Sequence, residues 1–233
     1  MTQSLSKVVV CFDLDDTLYK EHDYLLSGFK AIARDICSKL AGDQDPDSVV
    51  RMLYDAHIAG QDAFSQAQAS FGVISKDELQ SIYRAHSPSI HLSEGASFLL
   101  DSLKDSGCTL GLITDGRQLS QNNKIDALGL RKWFGKDDIV ISETFGSEKP
   151  DERNYRYFED RYPGCRYYYV GDNIEKDFVA PNHLGWTTIC VKDNDNRNIH
   201  STSTQNLERS HMARFEVSGL HKILELITFA RYL

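Results

Sequence analysis

Five short runs of β-branched and aromatic residues, separated by helical patterns, constrain this 233-residue chain more than any other feature. Lys7-Val8-Val9-Val10-Cys11-Phe12-Asp13-Leu14 is apolar on successive residues and then turns acidic. Such a run suits a strand buried on both faces that delivers carboxylates at its C-terminal end. Thr109-Leu110-Gly111-Leu112-Ile113, Ile139-Val140-Ile141, Arg166-Tyr167-Tyr168-Tyr169-Val170 and Trp186-Thr187-Thr188-Ile189-Cys190-Val191 read the same way. Helical periodicity fills residues 96–106, 119–128, 152–162 and 175–183 between them. Strands alternating with helices predict an α/β fold with a doubly wound parallel sheet, whose ligand crevice lies beyond the carboxyl ends of the strands.

One stretch breaks the alternation. Residues 19–91 hold no convincing strand, only helical patterns over 25–40, 47–59 and 76–86, with turn signals at Gly42-Asp43, Gly60 and Gly72. A core strand precedes this stretch, so it reads as an all-helical insertion. The expected division is a core of residues 1–18 and 92–233 and an inserted helical domain of 19–91. Residues 193–210 are rich in Asn, Asp, Ser and Thr and suit an exposed loop. Residues 220–233 are apolar at helical spacing, as expected of a helix packed on the sheet.

A net charge of −8 argues against a surface built to neutralise nucleic-acid or membrane phosphates, and leaves room for a small anionic substrate in a local cationic pocket. The five cysteines are odd in number and widely spaced, which suits free thiols in a reducing compartment rather than disulfides or a zinc knuckle. The first apolar stretch is too brief for a signal peptide and no later one is long enough to span a bilayer. A cytoplasmic protein is expected, and no feature demands a dimer.

Chemistry gathers at the strand ends. In Phe12-Asp13-Leu14-Asp15-Asp16-Thr17-Leu18, Asp13 and Asp15 are two residues apart and can be directed to one side of an extended chain. Phosphoryl transfer through a covalent intermediate needs such a pair, one carboxylate ionised to attack and one carrying a proton for the leaving oxygen. Both would repel a phosphate dianion unless a divalent cation intervened, and oxygen ligands favour Mg2+. After the second strand, Thr114-Asp115-Gly116 offers a hydroxyl and successive backbone N–H groups for phosphate oxygens, with Arg117 next to it for a further anionic or polar group. Lys149 follows the third strand and can stabilise charge on a transferring phosphoryl group. Gly171-Asp172-Asn173 with Asp177 follows the fourth, Asp172 placed as a metal ligand and Asp177 steadying the coordination sphere. Each motif alone also fits a solvated turn, a helix cap or a surface lysine. Four of them in order at successive strand ends do not.

In these four motifs, and in the helical insertion after the first, the sequence resembles the haloacid dehalogenase superfamily along essentially its whole length. The resemblance implies a Rossmann-like core with a helical cap, Asp13 as nucleophile forming an aspartyl-phosphate, and Asp15 as acid and then base. It also implies Thr114, Asp115 and Gly116 around the phosphoryl oxygens, Lys149 paired with Asp13, and Mg2+ on Asp13, Asp172 and the Asp15 backbone carbonyl, with Asp177 outside the inner sphere. Asp16 and Thr17 then shape the loop.

The superfamily also contains C-halogen hydrolases, which need no acid two residues after the nucleophile; Asp15 favours a phosphatase. Phosphonate hydrolysis would need a desolvated cap lysine, and nothing around Lys20, Lys30, Lys39 or Lys76 suggests one. A phospho-aspartate regulatory or binding module uses a similar residue set, but has no helical insertion. The expected substrate is a small phosphorylated metabolite, a sugar phosphate, nucleotide or phosphoglycolate-like ester, contacted in the cap by some of Tyr19, His22, Arg51, Tyr54 and His57.

Overall fold

The computed structural model describes residues 7–40, 44–199 and 207–229. The expected Gly42-Asp43 turn, residues 200–206 of the polar loop and residues 230–233 of the last segment lie outside them. In chain order the elements are β1 (Val8–Phe12), α1 (Glu21–Lys39), α2 (Pro46–Ile58), α3 (Ala63–Phe71), α4 (Lys76–Ala85), α5 (Ala96–Asp105), β2 (Thr109–Thr114) and α6 (Gln118–Ala127). They continue with β3 (Ile139–Ile141), α7 (Ser142–Phe145), α8 (Arg153–Arg161), β4 (Arg166–Gly171), α9 (Val179–His183), β5 (Thr187–Val191), β6 (Phe215–Val217) and α10 (Ile223–Phe229). The strands form one parallel sheet in the order β3-β2-β1-β4-β5-β6. This is the doubly wound, Rossmann-like architecture expected.

Period-2 geometry divides the core. Val8, Val10 and Phe12 of β1 face one side, packed against Leu99, Leu100 and Leu103 of α5, Ile125 of α6 and Ile223 and Ile227 of α10. Val9 and Cys11 face the other side, with Tyr155 and Phe158 of α8, Phe178 and Trp186. β1 is buried along its whole length, which is why its sequence shows no polar alternation. The chain leaves β1 toward β2 and β3, then returns so that β4 pairs with the opposite edge of β1. That reversal opens a crevice at the carboxyl ends of β1 and β4.

The helices α1–α4 build a hydrophobic cluster of their own. Leu25, Phe29, Ile32 and Ile36 recur at three- and four-residue spacing on α1, and meet Val49 and Leu53 of α2, Ala67 of α3 and Ile74 and Leu79 near α4. Asp45 caps α2 by accepting from the N–H groups of Asp47 and Ser48, and Ser75 and Glu78 form a reciprocal capping box on α4. The chain enters and leaves this bundle through adjacent strands of linker, joined where Ser93 N–H donates to Leu18 O at 2.8 Å. Among the described residues no helix is long and apolar enough to cross a membrane.

The structure adds elements to those expected from the sequence. β6 extends the sheet beyond β5 but is short, and only Val217 of its three residues is buried. The helix expected over 175–183 begins only at Val179. α3 and the single-turn α7 were not resolved by periodicity, being too short to display it.

Gly111 in β2 lies under α8. A Cβ there would sit 2.4 Å from the Phe158 ring and 2.7 Å from Cys11 Sγ. Gly111→Ala should therefore destabilise the protein by about 1–3 kcal/mol through overpacking. Urea denaturation checks this, and an unchanged midpoint would contradict the packing described.

Candidate active site

Sheet register brings the first, second and fourth motifs together. Phe12 pairs with Leu112 on one side and Val170 on the other, so the residues just beyond, Asp13, Thr114 and Asp172, emerge side by side. Asp13 N–H still donates to Val170 O at 2.8 Å, extending the ladder by one bond and fixing the carboxylate at its end. Thr17 Oγ1 lies 3.4 Å from Asp13 Oδ2 and 3.3 Å from Asp172 Oδ1, and its single proton can serve either carboxylate.

Lys149 enters from the loop between α7 and α8. Its buried ammonium donates to Asp13 Oδ1, to Asp177 Oδ1 at 2.7 Å and to Tyr169 OH at 3.2 Å. Asp177 is fully enclosed, and its other oxygen accepts from the N–H groups of Asp172 at 3.1 Å and Asn173 at 2.9 Å. A Cβ at position 171 would lie 2.4 Å from that oxygen, so Gly171 is what lets the carboxylate reach across the turn. A local turn closed by Asp177 N–H on Asn173 O at 2.9 Å precedes α9, which starts at Val179.

Burial pushes the Asp13 carboxyl up to about 7, against the opposing pull of Lys149 and with help from Asp177 and Asp15. Burial likewise raises Asp172 well above the usual carboxylate range, aided by Asp177, Asp13 and Asp16. Lys149 stays firmly protonated: burial disfavours its charge, but Asp13 and Asp177 outweigh that. Oxygens of Asp13, Asp172 and Asp177 lie within 4.8 Å of one another. Asp177 is already saturated by Lys149 and two amides. Among the described residues, Asp13 and Asp172 have only Thr17, Lys149 and the Asn198 amide (3.0 Å from Asp172 Oδ2) against their mutual repulsion. The chemistry of this oxygen donor set fits a hard divalent cation between those two carboxylates.

Asp15 points into a separate polar cluster. Lys124 Nζ donates to Asp15 Oδ1 at 2.7 Å, Tyr19 OH donates to the same oxygen, and Gln121 Nε2 donates to Oδ2 at 3.0 Å. Burial works to raise Asp15, but Lys124 and these donors hold it below the usual carboxylate range. Glu21 stands nearby, with Lys124 Nζ 3.9 Å away, and burial beside Asp15 pushes it up to about 8. Gln121 Nε2 also donates to Thr114 Oγ1 and to Asp115 O, each at 2.7 Å, tying the second motif to this cluster.

The remaining expected residues are placed less uniformly. Asp115 accepts from Lys149 N–H and Lys176 Nζ, both at 3.1 Å. Gly116 N–H is engaged with Ser142 Oγ at 3.0 Å. Arg117 lies at the rim, paired with Glu143 at 2.6 Å. The Asp16 carboxylate accepts from Glu21 N–H and Ile199 N–H, both at 2.9 Å, and so caps the start of α1. Of the cap candidates only Tyr19 reaches the acidic cluster; His22 bonds Tyr54, and His57 packs on Phe29. Lys124, Gln121 and Asn198 were not singled out from the sequence. A signal existed for the first two, because Gln121 and Lys124 occupy the same helix face as buried Ile125 and Leu128.

Asp13, Asp15, Thr114, Asp172 and Lys176 line a cavity of about 110 Å³, room for about four water-sized groups. Two facing carboxylates, a lysine and a separately partnered carboxylate thus share one small chamber at the sheet's switch point. The family model described as haloacid dehalogenase-like hydrolase matches residues 10–191. The chain belongs to that family. It is 25% identical to the glyceraldehyde 3-phosphate phosphatase of Methanothermobacter thermautotrophicus, over 94% of this chain and 98% of that protein. It is 28% identical to the enzyme of the same name from Methanocaldococcus jannaschii, but there the match covers 55% of this chain and only about half (53%) of that protein. Among solved structures, the HAD-hydrolase YfnB of Bacillus subtilis superimposes with a TM-score of 0.67 at 19% identity, over 95% of this chain and 99% of that one. These chains share the hydrolase fold.

The raised carboxyls make a pH prediction for the protein without divalent cation. Asp13 and Glu21 are raised in the folded state, so the stability they give is complete below the ordinary carboxylate pKa near 4 and is lost as pH rises through about 7 and 8. A cation that binds the ionised carboxylates should reverse this loss. Added Mg2+ should raise the Tm more at pH 8 than at pH 6, measured by differential scanning fluorimetry with a chelator control. The same Tm with and without Mg2+ at both values would contradict the fit.

Proposed function

We propose that this hydrolase is a Mg2+-dependent phosphomonoesterase acting on small phosphorylated metabolites through an aspartyl-phosphate on Asp13. The observation that carries the reading is geometric: Asp13, Asp172 and Lys149 converge at the strand ends, with a second carboxylate, Asp15, two residues on. Asp13 faces Asp172 and Lys149 in the buried chamber, and Asp15 faces a lysine, a tyrosine and a glutamine on its other side.

Asp13 and Asp172, with the Asp15 backbone carbonyl, would hold Mg2+, which when bound would offset the repulsion between carboxylates and a phosphate dianion. Asp177 serves outside that sphere by holding Lys149 and the Asp172 turn. An Asp13 oxygen forms a bond to phosphorus while the bond to the leaving oxygen breaks. Thr114 and the 115–116 turn bind the phosphoryl oxygens, and Lys149 stabilises the charge spread over them. Asp15 supplies the proton to the leaving oxygen. It rests ionised beside Lys124, and the arriving dianion favours its taking up a proton from solvent, which it then passes to the leaving oxygen. Water then attacks phosphorus, its proton passes to Asp15, and phosphate departs with Asp13 restored.

The helices α1–α4, residues 19–91, act as a cap that limits access to small molecules. Support comes from their separate hydrophobic cluster and paired linkers. Relatives named for glyceraldehyde 3-phosphate support taking sugar-phosphate-sized esters as the first candidates. All five cysteines are free thiols, which suits a cytoplasmic location.

Phosphate release from a panel of sugar phosphates, nucleoside monophosphates and phosphoglycolate tests the reading. Activity should require Mg2+ and fall by at least about a thousandfold in Asp13→Asn. Substantial activity in the variant or in chelator would refute the mechanism. Silence on phosphate esters with halide release from 2-haloacids would assign the other hydrolase class.

A further inference from the structure

Beside the catalytic chamber lies a larger cleft of about 350 Å³, at the size where small-ligand pockets begin. The cap contributes Phe64, Tyr83 and Arg84 to it, and the core Asp15, Arg117 and Lys124. The small chamber and this cleft share Asp15, Glu21 and Asp115 as their common wall. A phosphoryl group in the chamber would therefore extend its leaving group past Asp15 into the cleft. Phe64 and Tyr83, with ring centroids 5.6 Å apart, offer an apolar surface for a carbon skeleton.

The three cations of this cleft are unequally partnered. Lys124 is matched by Asp15 at 2.7 Å and by Glu21 at 3.9 Å, and Arg117 by Glu143. Among the described residues, Arg84 has no carboxylate within salt-bridge distance. Its backbone is nevertheless fixed against the core. Ser120 Oγ donates to Arg84 O at 3.3 Å, and Asn123 Nδ2 donates to His86 O at 3.1 Å and Ala85 O at 3.4 Å. These bonds satisfy terminal carbonyls of α4 and hold its last turn at the mouth of the cleft. An exposed guanidinium on an anchored helix end, facing a cleft whose other cations are already paired, is suited to an anion brought by the ligand.

We propose that Arg84 selects substrates whose leaving group carries an anionic group of its own, a carboxylate or a second phosphate. This rests on the phosphatase reading for the direction of the leaving group. It assigns the second anion to Arg84 of the cap rather than to Arg117, whose fork is occupied by Glu143. It also separates this chain from a specialist for glyceraldehyde 3-phosphate, whose leaving group is neutral.

Titration calorimetry on the Asp13→Asn protein in Mg2+ tests the proposal without requiring turnover. 3-Phosphoglycerate should bind about tenfold more tightly than glycerol 3-phosphate if a carboxylate is read, and fructose 1,6-bisphosphate more tightly than fructose 6-phosphate if a second phosphate is read. Adding Arg84→Gln should reduce the preference to within about twofold and leave inorganic phosphate binding unchanged. Equal affinities within both pairs, or a preference that survives Arg84→Gln, would overturn the assignment. Failure of the wild-type protein to hydrolyse any of these esters would count against the phosphatase reading alone, since the binding result stands separately.

Discussion

The Lys149 ammonium, enclosed between the carboxylates of Asp13 and Asp177, is the contact on which the rest of the site depends. It joins the loop after β1, the loop before α8 and the turn after β4, three segments far apart in sequence. Removing a charge from such a buried group leaves its partners uncompensated, at a cost of about 3–5 kcal/mol. With every carboxyl ionised the triad would carry a net negative charge, and Asp172 would add another across Thr17. A buried site with this surplus of carboxylate fits a hard divalent cation.

The sheet makes that surplus tolerable by over-determining the geometry. Asp13 extends the β1–β4 ladder, Asp172 follows the partner strand, and Asp177 is pinned by two backbone amides over Gly171. Asp15, only two residues from Asp13, enters a different environment, and the chain turns immediately after it at Asp16, whose φ of 57° is left-handed. Lys124, Tyr19 and Gln121 then hold Asp15 ionised, while burial pushes Asp13 up. One short loop thus places two carboxylates in different surroundings, Asp13 beside Lys149 and Asp15 beside Lys124.

Much of this was legible in the sequence because the chemistry sits where apolar runs stop. The β-branched run through Val8–Val10 marks β1, and the first polar residue after it is Asp13; the same logic finds Thr114 and Asp172. Lys149 was legible from its place after β3, although its partners were not. Residues acting from helices or distant loops escaped. Lys124 and Gln121 look like ordinary polar helix positions until packing shows them buried, and Asn198 reaches Asp172 across 26 residues. The late start of α9 escaped as well, being preceded by a turn closed by Asp177 N–H on Asn173 O. β6 was unreadable because Phe215 and Glu216 are exposed on a three-residue edge strand. Arg117 was expected near substrate, and the structure places it at the rim beside Glu143; the neighbouring Arg84 emerged only from the fold.

The account turns on whether Asp13 becomes covalently phosphorylated. Acid quenching during turnover of a reactive phosphate ester, followed by peptide mass spectrometry, addresses that directly. The expected result is one phosphoryl group on the peptide containing Asp13, labile to hydroxylamine and missing when Asp13 is replaced by Asn. Turnover with no phosphoryl group on that peptide at any quench time, or a phosphoryl group on a different residue, would contradict the central claim.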